Sequence, residues 1–580
     1  MASSYQNNSG TNNNLRTSGN FIVPNQGLSI LFFLILTLFL SSCSPQSDRY
    51  ALTPTHQSIY LPGGATPPVK STPIAETLQL PLSVWVDPNL PFSVRDLVKN
   101  STDLEYLTQT ENHQFKIVPT YENIIGYWVY LVVVPFNSSL NIIQADDLLS
   151  LWRFGKSEDL HLFLNPDTMR SLSSLWGDPN QNDLTITKSE NLIAELWDNP
   201  NSIAIVPFHE LEAQMKVLSI DGTNPLDHNF SPAAYSLSLP ISLINPLELN
   251  VSNYFDDFSN YFRDKLTSIA LTGVTAMVRD TASIMEENGV TYPASDIQSI
   301  LTNVDLTHIS NEVPFAEDCP PPDSNQPSLF FCSKDEYIEL LEAIGTDIVE
   351  LSGDHFGDYG PEAILHSLDL YHQRNWLTYG GGKTLQAGLD PIYIEHNGNH
   401  IAFIGCNGKI HDLYASATED NPGASRCDFE WMMPTITHLK NEGYLVIATM
   451  QHEEVDSFGS IAIQRYDFRR IADAGATIIS GSQAHHPQAV EFHGSSFIHY
   501  GLGNLFFDQW YLATRNPTEH KNKDKAFIDI HYFYDGSYIN TRLIPLQFID
   551  NARSRPMTFE ESVEFLSELH RASVWNIPAE

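Results

Sequence analysis

Positive charge is scarce in this chain. Lys and Arg number 31 against 70 Asp and Glu, which gives a formal net charge of -39 over 580 residues. Such a field repels phosphate backbones and argues against nucleic-acid binding. It also repels a polyanionic polymer unless a local basic patch or a metal ion intervenes. Cysteine is scarce as well, with five in all. No Cys-x-x-Cys pair occurs, so thiolate metal binding has little support. The P-loop is incomplete: Gly380-Gly381-Gly382-Lys383-Thr384 ends like one, but Leu377 stands where its first Gly belongs. What is present fits globular domains, with 42% hydrophobic and 17% charged residues. The length suggests two folded domains plus tails.

The N-terminus carries an address. A polar stretch is followed by the apolar run Leu28–Leu40, too short for a comfortable membrane span but suited to a signal-peptide core. Leu40-Ser41-Ser42-Cys43 follows and is similar to a bacterial lipobox, in which the Cys thiol takes a diacylglycerol and the chain is cut before it. The expected location is extracytoplasmic, anchored to the bacterial cell membrane through that lipid. Beyond Cys43 four cysteines remain, an even set that suggests disulfides outside the cytoplasm. We expect Cys319–Cys332 and Cys406–Cys427, because each pair closes a short loop rich in Pro, Gly, Asn and Asp.

The organisation follows from composition shifts. Residues 1–43 are leader and lipobox, and 44–75 form a Pro-, Ser- and Thr-rich tether. Residues 76–245 form a smaller α/β domain, with strands expected at Leu82–Val86 and Trp128–Val134 and helices near Ala145–Trp152 and Asn191–Trp197. The segments Ser202–Phe208 and Val217–Gly222, followed by Asn224-Pro225-Leu226 and Tyr235-Ser236-Leu237, resemble one lobe of a periplasmic solute-binding protein. Residues 262–550 form the larger domain. Its β-branched runs 268–277, 347–351, 401–405, 444–450 and 476–480 alternate with helical stretches, which predicts a layered α/β domain. Residues 551–580 hold a final helix, with Phe559, Val563, Phe565, Leu566 and Leu569 available for packing.

Polar clusters follow the apolar runs of the larger domain, where α/β folds place ligand sites. They are Ser310-Asn311-Glu312, Ser352-Gly353-Asp354-His355 with Asp358-Tyr359-Gly360, Gln451-His452-Glu453-Glu454, and Gly481-Ser482-Gln483-Ala484-His485. Carboxylates and imidazoles from separate loops can together hold a divalent metal, and this donor set suits Mn, Fe or Zn more than Ca.

These clusters, followed by Gly501-Leu502-Gly503-Asn504-Leu505-Phe506, resemble in order and spacing the motifs of the CapA family, linked to poly-γ-glutamate capsules and related to calcineurin-like metallophosphoesterases. The resemblance covers residues 268–510 and implies a metallophosphoesterase-like sandwich acting in capsule or exopolymer synthesis, retention or export. It also implies metal-assisted hydrolysis or transfer, with an anionic polymer or a small molecule as substrate. Two family donors are missing, because Val274 replaces an Asp and Gln483 replaces a His. The remaining set would be Glu312, Asp354, His452 and His485 as metal ligands, with His355 as the acid that protonates a leaving group. The alternative is a non-catalytic solute- or polymer-binding lipoprotein with a degenerate, metal-free site.

Overall fold

The computed structural model describes residues 79–575, apart from 110–112, 155–159, 181–183, 200, 246–250, 257, 410–414 and 519. The expected leader, Cys43 and the expected tether therefore lie outside the described residues. The described residues belong to one compact unit.

The first part is built on one mixed sheet. Its strand order is Leu104–Leu107, Leu82–Val86, Phe115–Val118, Ser238–Ile244, Ile124–Pro135, Ser202–Pro207, His161–Leu164 and Leu184–Ile186, with Met215–Val217 joined to Ile124–Pro135. The expected strands and helices are present, the helices running Ala145–Phe154 and Ser189–Asp198. Ile124–Pro135 is buried from Trp128 onward, as its unbroken apolar run requires for a central strand covered on both faces.

The second part stacks two sheets. One has the order Leu377–Tyr379, Thr346–Glu350, Leu306–Asn311, Leu266–Thr272, Lys525–Tyr534, Ser537–Phe548 and Ser554–Pro556. The other runs Ile392–His396, Asn399–Asn407, Leu445–Gln451, Ile478–Ser480, Ser496–His499, Val490–His493 and Val574–Trp575. Alternation along the strands divides the core. Ile401, Phe403 and Ile447 face Ile269, Leu271 and Ile348 of the opposite sheet. Ala402, Ile404, Val446 and Ala448 point the other way, onto Met432, Ile436, Phe468 and Ile471 of the helices Phe429–Asn441 and Ala462–Ala474. The fold class is α/β, a layered sandwich beside a smaller α/β sheet.

Two expectations need correction. The run 268–277 is not one strand: Leu266–Thr272 and Val274–Thr275 are separated at Gly273, where a Cβ would lie 2.0 Å from the Gly503 carbonyl oxygen. The final helix spans Phe559–Ala572 and packs through Phe565, Leu566 and Leu569, but Phe559 is 52% exposed because it occupies the first helical position, after the Thr558 cap. Both expected disulfides are formed, Cys319–Cys332 and Cys406–Cys427. Among the described residues no helix is long and apolar enough to cross a membrane.

Candidate functional site

Parallel pairing brings the polar clusters to one end of the sandwich. Val274 and Thr275 pair with Ser310 and Asn311, and the Glu312 amide donates to the Thr275 carbonyl at 2.9 Å. Gly353 then passes so close that a Cβ there would meet the Glu312 Cα at 2.8 Å, a position only glycine can fill. This approach sets Asp354 and His355 against Glu312. The three residues offer donor atoms all within 4.8 Å of one another.

Glu350 supports the loops from below. It is fully buried and accepts from Ser310 Oγ at 3.0 Å, from Ser352 Oγ at 2.5 Å and from Ser482 Oγ. Burial raises its pKa, and the hydroxyl donors oppose that shift. One carboxylate thus ties together three of the loops that carry the site.

Around the acids, hydrogen bonds fix most polar atoms. Gln451 Nε2 donates to Asp354 Oδ1 at 2.8 Å and lies 3.4 Å from Glu312 Oε1. Lys409 Nζ donates to Asp354 Oδ2 and to Glu454 Oε1, each at 2.6 Å. His355 Nδ1 lies 2.8 Å from Asp358 Oδ2, so a proton delivered by this ring leaves from Nε2. Phe331 packs on the same ring, with centroids 4.9 Å apart. His485 Nε2 lies 3.5 Å from Glu312 Oε1, and its Nδ1 is held by Asn504 Oδ1 at 2.7 Å. Arg279 closes one side: it is paired with Asp508, and its guanidinium sits 5.1 Å from the ring centroids of both Phe331 and Phe507.

The electrostatics follow from these pairs. Burial works against a charged His355, but the Asp358 hydrogen bond and the charges of Glu312 and Asp354 outweigh it and raise the pKa to about 9. Burial also opposes charge on His485, yet Glu312 and Glu454 raise it. Burial would raise Asp354, but Lys409 and His355 hold it well below the usual carboxylate range. Glu454, against its own burial, is drawn down to about 2 by His485 and Lys409. At neutral pH the site sets the Lys409 ammonium and the His355 imidazolium among the carboxylates of Asp354 and Glu454.

The structure brings together Glu312, Asp354 and His355, with His485 beside Glu312. His452 is placed differently: its Nε2 lies 3.0 Å from Asp467 Oδ2, and its Nδ1 is buried without a hydrogen-bond partner. Val274 is fully buried and presents only methyl groups, and both side-chain polar atoms of the buried Gln483 lack partners. Sequence reasoning missed Lys409, although it follows directly on the expected strand 401–405. Two carboxylates and an imidazole suit a borderline divalent ion in chemistry. Their donor atoms lie close enough together to hold one, and an ion bound there would take the place of Lys409 on Asp354 Oδ2.

Residues 268–509 match the sequence profile of the family described as "Bacterial capsule synthesis protein PGA_cap". The capsule biosynthesis protein CapA of Bacillus anthracis is 25% identical over 301 residues, which cover 51% of this chain and 70% of that protein. The PGA biosynthesis protein CapA of Bacillus subtilis is 24% identical over 279 residues, covering 48% and 70%. Among solved structures, the NAD nucleotidase of Haemophilus influenzae aligns with a TM-score of 0.30 and 10% identity over 54% of this chain and 57% of its own. An ABC-type phosphate transport receptor from Vibrio cholerae aligns with a TM-score of 0.25 and 11% identity over 30% and 90%.

Proposed function

We propose that this chain is an exported factor of capsule or exopolymer assembly, anchored by a lipid on Cys43. Its Glu312–Asp354–His355 site would handle an anionic polymer or a small precursor of one. The names of its relatives support the capsule reading, and two disulfides support export. The observation that carries the chemistry is His355, held at Nδ1 by Asp358 and set against two carboxylates. In hydrolysis of an amide or phosphate-ester bond, Glu312 accepts a proton from the attacking water and His355 Nε2 gives one to the leaving group. A Mn, Fe or Zn ion would have to displace Lys409 from Asp354, so no step is assigned to a metal. The test is surface polymer in cells carrying His355→Ala or Glu312→Gln. Loss of polymer at unchanged protein level supports catalysis.

A second reading is a non-catalytic polymer-binding protein. The engagement of both Asp354 oxygens and the apolar Val274 favour it. Unchanged surface polymer with both variants would establish it over the first.

A further inference from the structure

Past the strand Leu306–Asn311 and Glu312, the chain makes a long excursion and returns to the site at Phe331. Backbone bonds zip the base of that excursion: the Ser333 amide donates to the Pro314 carbonyl at 2.9 Å, and the Ala316 amide to the Ser333 carbonyl at 3.1 Å. Within this base the Cys319–Cys332 disulfide closes a loop of sequence separation 13. The stretch between the cysteines meets its surroundings through surface contacts such as Ser324 Oγ on Ser283 Oγ at 3.2 Å. Leu329 and Phe330 are 65% and 58% exposed, whereas Phe331 is only 3% exposed.

Phe331 meets the site twice. Its amide donates to Asp358 Oδ2 at 2.8 Å, the same oxygen that lies 2.8 Å from His355 Nδ1. Its ring packs edge-on against the His355 ring, with centroids 4.9 Å apart. His355 and Asp358 belong to one turn, in which the Asp358 amide donates to the His355 carbonyl at 3.2 Å. A second donor to Oδ2, arriving from outside that turn, fixes the carboxylate rotamer that faces the imidazole. Cys332 is the next residue after Phe331, so its bond to Cys319 limits how far Phe331 can move from Asp358. Opening that bond lets the stretch sample many more conformations and loosens the residue beside it.

We infer that Phe331 is a positioning residue for His355, acting through Asp358, and that the Cys319–Cys332 bond keeps it there, so that the acid is set only in the oxidised chain. This role rests on the acid function proposed for His355 above. Forming the bond breaks two S–H bonds, and both electrons and both protons pass to a protein disulfide outside the cytoplasm, which is left as a dithiol. A chain still reduced on its way out carries the same site residues with the acid unset.

The test is nuclear magnetic resonance of the full chain in detergent, with isotope-labelled histidine and the His355 Nδ1–H signal identified by its loss in His355→Ala. His499 is the internal control, since its Nδ1 lies 2.6 Å from Asp529 Oδ2 in the buried core of the same domain. In the Cys319→Ser/Cys332→Ser variant and in Phe331→Ala, exchange of the His355 proton with water should quicken by about tenfold or more while His499 is unchanged. Phe331→Leu should keep part of the protection that Phe331→Ala loses. His355 exchange within about twofold of the parent in the first two variants overturns the inference. So does loss of both signals, because the bond then holds the fold rather than the acid. Surface polymer separates this role from the function proposed above. Unchanged polymer in His355→Ala overturns that function. Polymer lost in His355→Ala but kept in Cys319→Ser/Cys332→Ser overturns the positioning role alone.

Discussion

Lys409 sits where the sequence leads one to expect a metal, and replacing it with methionine should convert one into the other. Its side chain is 14% exposed and that of Asp354 is 10% exposed, so their pair is poorly screened. Glu454 is 40% exposed, so its share of the pairing is small. Removing one partner from a buried charge pair costs about 3–5 kcal/mol, because the other charge is left uncompensated. Lys409→Met should therefore destabilise the protein by about that amount and leave Asp354 Oδ2 open beside Glu312. Added Mn²⁺ should then restore stability by about 2.7 kcal/mol at roughly 100 times its dissociation constant, and the parent protein should gain little. Thermal melts of both proteins with and without Mn²⁺, alongside calorimetry, read this directly. The reasoning is refuted if Mn²⁺ stabilises the parent as much as the variant. It is refuted equally if the variant is as stable as the parent and binds no Mn²⁺.

Three further predictions follow from other parts of the molecule. Cys43→Ser should move the protein out of the membrane fraction and abolish labelling by radioactive lipid precursors. The raised pKa of His355, from 6.5 to about 9, means that its charged pairing with Asp358, Glu312 and Asp354 stabilises the fold fully below pH 6.5 and is lost as pH rises through about 9. Asp358→Asn should remove much of that dependence, a difference of up to about 3 kcal/mol between acidic and alkaline urea midpoints. Replacing Cys406 and Cys427 by serine opens a loop of sequence separation 21 and should cost about 3 kcal/mol in denaturant titrations.

Much of the sandwich was legible because its strands are short, apolar and β-branched. Ile401-Ala402-Phe403-Ile404 contributes to both cores by simple alternation. Glu312, Asp354 and His355 were legible because each stands at the end of such a run. The break at Gly273 was not, because it arises from the Gly503 backbone passing 230 positions later in the chain. The placement of His452 was hidden for a similar reason: Asp467, which binds it, lies on a helix whose own pattern reads only as amphipathic. Lys409 escaped notice because a single lysine beyond a strand carries no periodic signal. Its meaning comes from Asp354 and Glu454, which the chain brings to it from opposite directions.

The strand Val574–Trp575 pairs with Val490–His493, and Trp575 packs on Phe136 and, through ring contact, on Trp197. Leu266–Thr272 is likewise completed by Lys525–Tyr534. Such distant pairings make folding slow, since long loops must close before any contact rewards them. A ribosome or a secretion channel delivering this chain from its N-terminus would release Phe136 and Trp197 before the ring that covers them. Both rings stay less covered until Trp575 has emerged, so fusions or truncations at this strand should be felt by residues more than 370 positions upstream.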